Sequence, residues 1–244
     1  MRMKSAKDPS SLPAGSYFLA KTESYEINKL QVSSINQFPR GYNESVSRNI
    51  NRKKLAIFGT GQIADVVTYY FAKSGRSIDC SIVVDETIPT EDFLQRPVYQ
   101  AVDFFHKFKP TEVETFVAIS YHNQNSWLEK YFTLLTRNGL ECAKYISQQA
   151  FIQENVVVGP NCLILEGSVI QKTSETKENS YIWTGVQIGH HSTVGANAFL
   201  GAVAILMGCN SVGRNAHISA NCTIKDHLEV KDNAYIAPES AVLV

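Results

Sequence analysis

The sequence predicts a two-part fold, a small Rossmann-like parallel α/β domain followed by a left-handed parallel β-helix. Three observations predict it. Branched apolar residues recur every six positions from Ile146 to Val242, and a register of mostly small residues follows four places behind each of them. Upstream, short apolar strands alternate with helical stretches around the turn Gly59-Thr-Gly61-Gln-Ile-Ala64.

The six-residue step meets Ile146, Ile152, Val158, Ile164, Ile170, Thr176, Ile182, Ile188, Val194, Leu200, Leu206, Val212, Ile218, Ile224, Val230, Ile236 and Val242, and only Thr176 is polar. A helix repeats its apolar face every three or four residues and a single strand every two. A period of six is that of a solenoid of short parallel strands. The small register includes Cys162, Ser168, Ser180, Ser192, Ala198, Ala204, Ala216 and Cys222. Branched residues then fill the interior of a triangular coil of three hexapeptides, and small residues occupy its corners. Gly159, Gly189, Gly195, Gly201 and Gly213 each follow an apolar anchor, as expected of turns that need a permissive backbone. The polar unit at 172–179 reads as a loose turn.

Upstream, residues 53–58 read as a strand, about 63–73 as a helix, 80–84 as a second strand ending at Asp85, 116–119 as a third, and 125–137 as a second helix. Strands alternating with helices imply a parallel sheet. Residues 1–50 are rich in Ser, Asn and Lys without a period, and read as a partly disordered extension with short elements near 17–20 and 26–32. The expected domains are thus 1–50, 51–143 and 144–244.

Composition narrows the function classes. Hydrophobic residues make up 44% and charged residues 19%, the balance of a globular chain with a real core. Lys plus Arg equals Asp plus Glu, 23 each, so no overall field attracts nucleic acid or an anionic membrane. The longest apolar run, 198–209, is too short to cross a bilayer. Five cysteines lack a CxxC pair, and the N-terminus lacks the apolar segment of a signal sequence; both point to the cytoplasm.

Two places carry candidate chemistry. In the Gly59-x-Gly61-x-x-Ala64 turn, the backbone can approach a phosphate at a helix N-terminus, with Gln62 opening the helix and Asp85 at the end of the next strand, where an acid meets a ribose or base. A redox dinucleotide is disfavoured, because the α/β unit spans only about 90 residues. The second place is Ile188-Gly189-His190-His191-Ser192-Thr193-Val194-Gly195. His190 and His191 lie two and three places past an anchor, outside the coil, where an imidazole can take a proton near neutral pH. A coil of about 18 residues, stacking at about 4.8 Å, sets Gly208 over His190. The glycine leaves room for a ligand and offers an N–H to an oxyanion. The next layer adds Asp226 over Gly208 and sets His227 in the column of His191. His217 and Cys222 are expected to diverge, outward and inward, so no metal site is expected there. His106 and His122 read as structural or surface residues, His122 with a possible place in a cleft. Trp127 reads as core, and Trp183 as an outward-facing subunit contact or substrate platform.

An α/β domain beginning GTGQIA, then a hexapeptide β-helix containing IGHHSTVG and ending IAPESAVL, resembles the sugar acetyltransferases of the NeuD/PglD type, over about residues 52–244. The resemblance implies a nucleotide-sugar on the α/β domain and acetyl-CoA in a groove between neighbouring β-helices of a homotrimer. It also implies His190 as general base, with Gly208 N–H on the thioester carbonyl and Gly201, Gly208 and Ala220 along the cofactor. No metal is expected. The chain departs from those relatives in having His191 where they carry an acid, Phe199 where some carry a second histidine, and GTGQIA where many read GxxGHG. The expected activity is direct acetyl transfer to an amino or hydroxyl group of a sugar in surface-glycan biosynthesis. Two other readings fit the scaffold. One is a non-catalytic binding or assembly protein. The other is a zinc-dependent carbonic anhydrase-like enzyme, which needs three histidines converging across a subunit interface.

Overall fold

The computed structural model describes residues 53–84, 92–120 and 125–244. The extension at 1–50, with its expected elements near 17–20 and 26–32, lies outside the described residues, as do Asp85 and His122. Asn49–Val244 form one compact unit.

The α/β part contains β1 (Lys54–Phe58), α1 (Gln62–Lys73), β2 (Cys80–Val83), β3 (Val98–Gln100), α2 (Ala101–Lys107), β4 (Val113–Val117), α3 (Ser126–Arg137) and β5 (Glu141–Cys142). Its sheet is parallel, in the order β3-β2-β1-β4-β5. The apolar run Leu55–Phe58 suits the central strand, buried on both faces. Helix α1 turns Ala64, Val67 and Phe71 inward, the three- and four-residue spacing of an amphipathic helix. It stops where Gly75 takes a positive φ of 76°. Strand β4 begins and ends earlier than expected, leaving Ala118 and Ile119 to line a cavity beyond it. Strands β3 and β5 and helix α2 add to the expected elements; each is too short to show a period in the sequence.

Seventeen two-residue strands then follow at six-residue spacing, from β6 (Tyr145–Ile146) to β22 (Ala241–Val242). They form three parallel sheets in which every third strand pairs, as in Tyr181↔Phe199 and Ile188↔Leu206. This is the left-handed β-helix. Its anchors from Ile164 to Val230 are buried as one core. Where the small register inside the corners is polar it is satisfied, with Ser168 Oγ donating to the Trp183 carbonyl at 2.8 Å and Ser174 Oγ to that of Gly189 at 2.9 Å.

Two expectations for the coil are corrected. The unit at 172–179 is not a loose turn. Glu175–Thr176 form β11, paired with β8 (Val157–Val158) and β14 (Thr193–Val194). Its neighbours hold it through backbone bonds such as Glu175 N–H to the Ser192 carbonyl at 2.9 Å, which do not depend on the side chain. The glycines after the anchors do not serve positive φ either. A Cβ on Gly189 would lie 2.5 Å from the Met207 carbonyl carbon, so the glycine admits the next coil's backbone. The left-handed residue stands three places after each anchor from Ile152 to Ile236, for example Asn161, Asn179, His191, Asn197, Cys209 and Asn215, with φ between 55° and 61°. Asparagine is among the few side chains that tolerate that conformation.

The same asparagines join the two parts. Asn161 Nδ2 donates to Asn179 Oδ1 at 2.6 Å, and Asn179 Nδ2 to Asn197 Oδ1 at 2.7 Å. Asn161 Oδ1 accepts the Val117 N–H at 2.8 Å, and Asn179 Nδ2 also donates to the Leu128 carbonyl at 3.0 Å. Tyr181 donates its hydroxyl to the Val117 carbonyl and stacks on Phe116 at 6.3 Å. One side of the β-helix thereby continues the α/β core.

Candidate active site

The first site region lies where strand order reverses in the α/β sheet, at the carboxyl ends of β1, β2 and β4. Parallel α/β sheets bind ligands at such a switch point. A cavity of about 500 Å³ opens there, lined by Gly59, Thr60, Gly61, Gln62, Ile63, Ile82–Val84, Ala118–Ser120, Trp127 and Tyr131. Gly59 has φ of 124°, and a Cβ there would lie 2.6 Å from the Ala118 carbonyl oxygen, so only glycine fits. Gly61 is the N-cap of α1, with nothing within 4 Å of a notional Cβ. The backbone there is open to a ligand at a helix N-terminus, whose first N–H groups lack intrahelical acceptors. Gly59, Gly61 and Gln62 are therefore brought together, while the expected fourth member, Asp85, lies outside the described residues. Trp127 is not core. It is 55% exposed and lines the cavity, because α3 turns Leu128 and Leu135 inward instead.

A second cavity, of about 430 Å³, shares Ile63 with the first. It lies along the outside of the β-helix over the column Phe199, His217 and Tyr235, with Trp183, Gly201 and Ala220 beside them. Phe199 and His217 stack at 4.6 Å and 12°, and His217 and Tyr235 at 5.2 Å and 27°. Burial within this stack lowers the His217 pKa below its ordinary 6.5 and favours the neutral ring. Cys222 faces the interior, so His217 and Cys222 diverge as expected. Trp183 packs against Phe199 at 6.0 Å, with its Nε1 buried and unpartnered among the described residues. The aromatic column is absent from the sequence-based expectations, although an 18-residue step from Tyr181 through Phe199 and His217 to Tyr235 displays it.

The third region is the corner after β13 (Gln187–Ile188). His190 and His191 are exposed, with His191 in the left-handed conformation. Gly208 stacks on His190 as expected: a Cβ there would lie 2.7 Å from His190 Cε1 and 2.9 Å from Nε2. His190 is tied into the coils on both sides, its N–H donating to Gln171 Oε1 at 3.0 Å and its carbonyl accepting the Cys209 N–H at 2.8 Å. Its Nδ1 lies 3.0 Å from His191 Nδ1. Among the described residues the Gly208 N–H finds no acceptor. Asp226, in the next layer, lies 3.7 Å from His227 and is exposed. His106 is exposed on α2.

Within one chain the expected cofactor residues separate. Gly201 and Ala220 line the second cavity at the corner after β15 (Phe199–Leu200) and β18 (His217–Ile218), while Gly208 belongs to the His190 corner. Among the described residues no helix is long and apolar enough to cross a membrane.

A left-handed β-helix carrying an N-terminal parallel α/β domain, with a histidine on one corner and a switch-point cavity, defines the class of scaffold. Solved structures share its fold. A variant of perosamine N-acetyltransferase from Caulobacter crescentus, in complex with CoA and GDP-perosamine, superposes with a TM-score of 0.70 at 21% identity, over 78% of this chain and 88% of that one. The acetyltransferase domain of PglB from Neisseria gonorrhoeae gives 0.69 at 17% identity, over 79% and 92%. These likenesses establish the fold. No protein-family model matches the chain. A curated relative, UDP-3-O-acylglucosamine N-acyltransferase from Campylobacter lari, is 28% identical over 107 residues, which is 44% of this chain and about one third (33%) of that protein.

Proposed function

We propose that this protein is an acetyl-CoA-dependent acetyltransferase acting on an amino or hydroxyl group of a nucleotide-linked sugar, as a cytoplasmic homotrimer in surface-glycan biosynthesis. The observation that carries this reading is the His190 ring set against Gly208, with an open amide beside an exposed imidazole. His190 shares one hydrogen bond with His191 through their Nδ1 atoms. With the proton on His190 Nδ1, its Nε2 keeps a lone pair. Nε2 takes the proton of the acceptor amine or hydroxyl as that group attacks the acetyl carbonyl. The Gly208 N–H holds the oxyanion that forms. The imidazolium then returns the proton to the departing CoA thiolate, so no acyl-enzyme is needed. His191 is a positioning residue, where a carboxylate would also balance the imidazolium charge.

Residues 51–143 hold the acceptor in this reading, and 144–244 carry out transfer. The switch-point cavity and the open turn at Gly61 support a nucleotide moiety, and GDP-perosamine in the first structural neighbour is a ligand of that class. The aromatic column under the second cavity, which meets the first cavity at Ile63, suits the sugar's apolar face. The separation of Gly201 and Ala220 from Gly208 supports a trimer, in which one copy's His190 corner meets a neighbour's second cavity.

The test is acetyl transfer from acetyl-CoA to a panel of nucleotide-linked amino sugars, beside thermal-shift binding of each ligand. His190→Ala is expected to lower turnover about 10²–10⁴-fold while CoA binding is kept. Unchanged turnover in that variant refutes the mechanism. Absence of both a CoA shift and any transfer by the wild type favours a binding or assembly protein.

A further inference from the structure

Beside Gly208, the corner that presents His190 gathers a second kind of chemistry. Cys209 stands one 18-residue coil after His191, and both take the left-handed turn conformation. Its thiol is half-buried and free. The other cysteines stand apart from this corner: Cys80 and Cys142 belong to the α/β part, where burial pushes their thiols up to about 12 and about 11, and Cys162 and Cys222 face the coil interior. Cys209 Sγ lies 4.0 Å from His190 Nδ1, which is 3.0 Å from His191 Nδ1. The two imidazoles are nearly perpendicular, at 83°. One donor atom from each of the three side chains lies within 4.8 Å of the others, the only such group among the described residues.

A tetrahedral ion with Zn–N of about 2.0–2.1 Å and Zn–S of about 2.3 Å needs N···N near 3.3 Å and N···S near 3.6 Å. The 3.0 Å and 4.0 Å separations need shifts of a few tenths of an ångström, and the His191 and Cys209 donor atoms, which lie within 4.8 Å, close by up to about 1.2 Å through side-chain rotation at this corner. Two imidazole nitrogens and a thiolate suit a borderline-soft divalent ion and disfavour Mg²⁺ or Ca²⁺, which take oxygen. Three protein ligands leave the fourth position open.

We propose that His190, His191 and Cys209 form a binding site for a borderline-soft divalent cation, of which Zn²⁺ is the representative. The ion takes a lone pair from each Nδ1 and a thiolate from Cys209, which releases its proton to solvent. Acetyl transfer needs no metal, and here the ion is an inhibitor. Metal on His190 Nδ1 places the ring's remaining proton on Nε2, which then has no lone pair for the acceptor. This last consequence rests on the acetyltransferase reading; the site itself does not.

The full-length protein, stripped with a chelator, is titrated with Co²⁺ as a spectroscopic probe. One equivalent is expected to bind with a thiolate-to-cobalt charge-transfer band, and Zn²⁺ to displace it. Cys209→Ser is expected to abolish the band and to weaken Zn²⁺ at least about tenfold, read by competition with a chromophoric chelator; His191→Gln weakens it similarly. Co²⁺ binding without the band, or Zn²⁺ affinity unchanged in both variants, overturns the site as mere attachment to surface histidines. In the transfer assay, one equivalent of Zn²⁺ is expected to stop turnover of the wild type reversibly, while Cys209→Ser continues at that concentration. Equal inhibition of both overturns the inhibitory role. If the protein transfers no acetyl group, the cobalt band still decides the site.

Discussion

The β-helix and the α/β domain solve the same burial problem with opposite geometries. In the β-helix, the neighbour across the sheet is always 18 residues away, as in Tyr181↔Phe199 and His217↔Tyr235. In the α/β sheet the separation is irregular: Lys54 pairs with Val113, 59 positions on, while Ala56 pairs with Cys80, 24 positions on. Regular pairing lets any outer position of the coil change while the interior holds. The open sheet instead concentrates its opening where the strand order reverses. The coil can therefore carry reactive side chains on its corners at little structural cost, and the sheet supplies a cavity at its strand ends.

The sharpest way to break that comparison is to cut the joint between the parts. Asn161 is fully buried, its Oδ1 accepting the Val117 N–H and its Nδ2 donating to Asn179. Asn161→Ala strands a buried N–H and a buried oxygen at about 1–3 kcal/mol each. It also places alanine in the left-handed region, at about 1 kcal/mol. A total loss of about 4 kcal/mol is expected in urea unfolding, and Asn161→Gly should recover only the backbone share. A loss below about 1 kcal/mol would show that the asparagine column does not join the two parts.

Gly208→Ala tests the opposite property, a corner that matters for turnover but not for folding. The new methyl meets the edge of the exposed His190 ring rather than backbone, so the ring swings aside and the coil persists. Turnover is expected to fall about 100-fold, or about 2.7 kcal/mol, with the melting temperature changed by only a few degrees. Kinetics as wild type would remove Gly208 from the mechanism.

A smaller effect of the opposite sign is expected at Thr176. Its hydroxyl is buried with no partner beyond the weak one that the Cys162 thiol offers among the described residues, in a position that is branched aliphatic elsewhere. Thr176→Val keeps the shape and removes the stranded hydroxyl, so stability should rise by about 1 kcal/mol. A loss on denaturant unfolding would show that the hydroxyl is satisfied in solution.

The contrast between the parts also explains what the sequence disclosed. Each coil repeats the last, so counting in eighteens along the sequence is enough to place Gly208 against His190. The same step from His191 reaches Cys209, and from Tyr181 reaches the aromatic column, yet neither stands out in the sequence, because each contributes one outer residue per coil and belongs to neither the apolar nor the small-residue register. The α/β domain discloses its glycine turn, since Gly59 admits no other residue. It hides β3, α2 and β5, which are too short for periodicity to register. Trp127 reads as core in the sequence because a helix shows its apolar face there but not whether a neighbouring cavity draws an aromatic outward. The joint is hidden for a related reason: asparagines at turn positions look like turn formers, and only the fold shows that they also bind the neighbouring sheet.

The subtlest difference concerns His217, on an outer face of the coil that the aromatic stack makes resemble an interior. It is 9% exposed between Phe199 and Tyr235, and burial depresses its pKa below the ordinary 6.5. Above pH 6.5 the folded and unfolded chains both hold a neutral ring, and its contribution to stability is complete. As pH falls through 6.5 the unfolded chain takes up the proton first, so it binds more protons than the folded one and stability declines. The decline ends once pH passes the lower, folded-state value. His217→Phe keeps the stack and removes the proton. Between about pH 7.5 and about pH 5.5, wild-type stability to urea is therefore expected to fall further than that of the variant. Carboxylates and exposed histidines titrate alike in both, so the difference belongs to this ring. Equal declines would mean that the imidazole charges freely within its stack, and that this face of the coil is as wet as the corner holding His190.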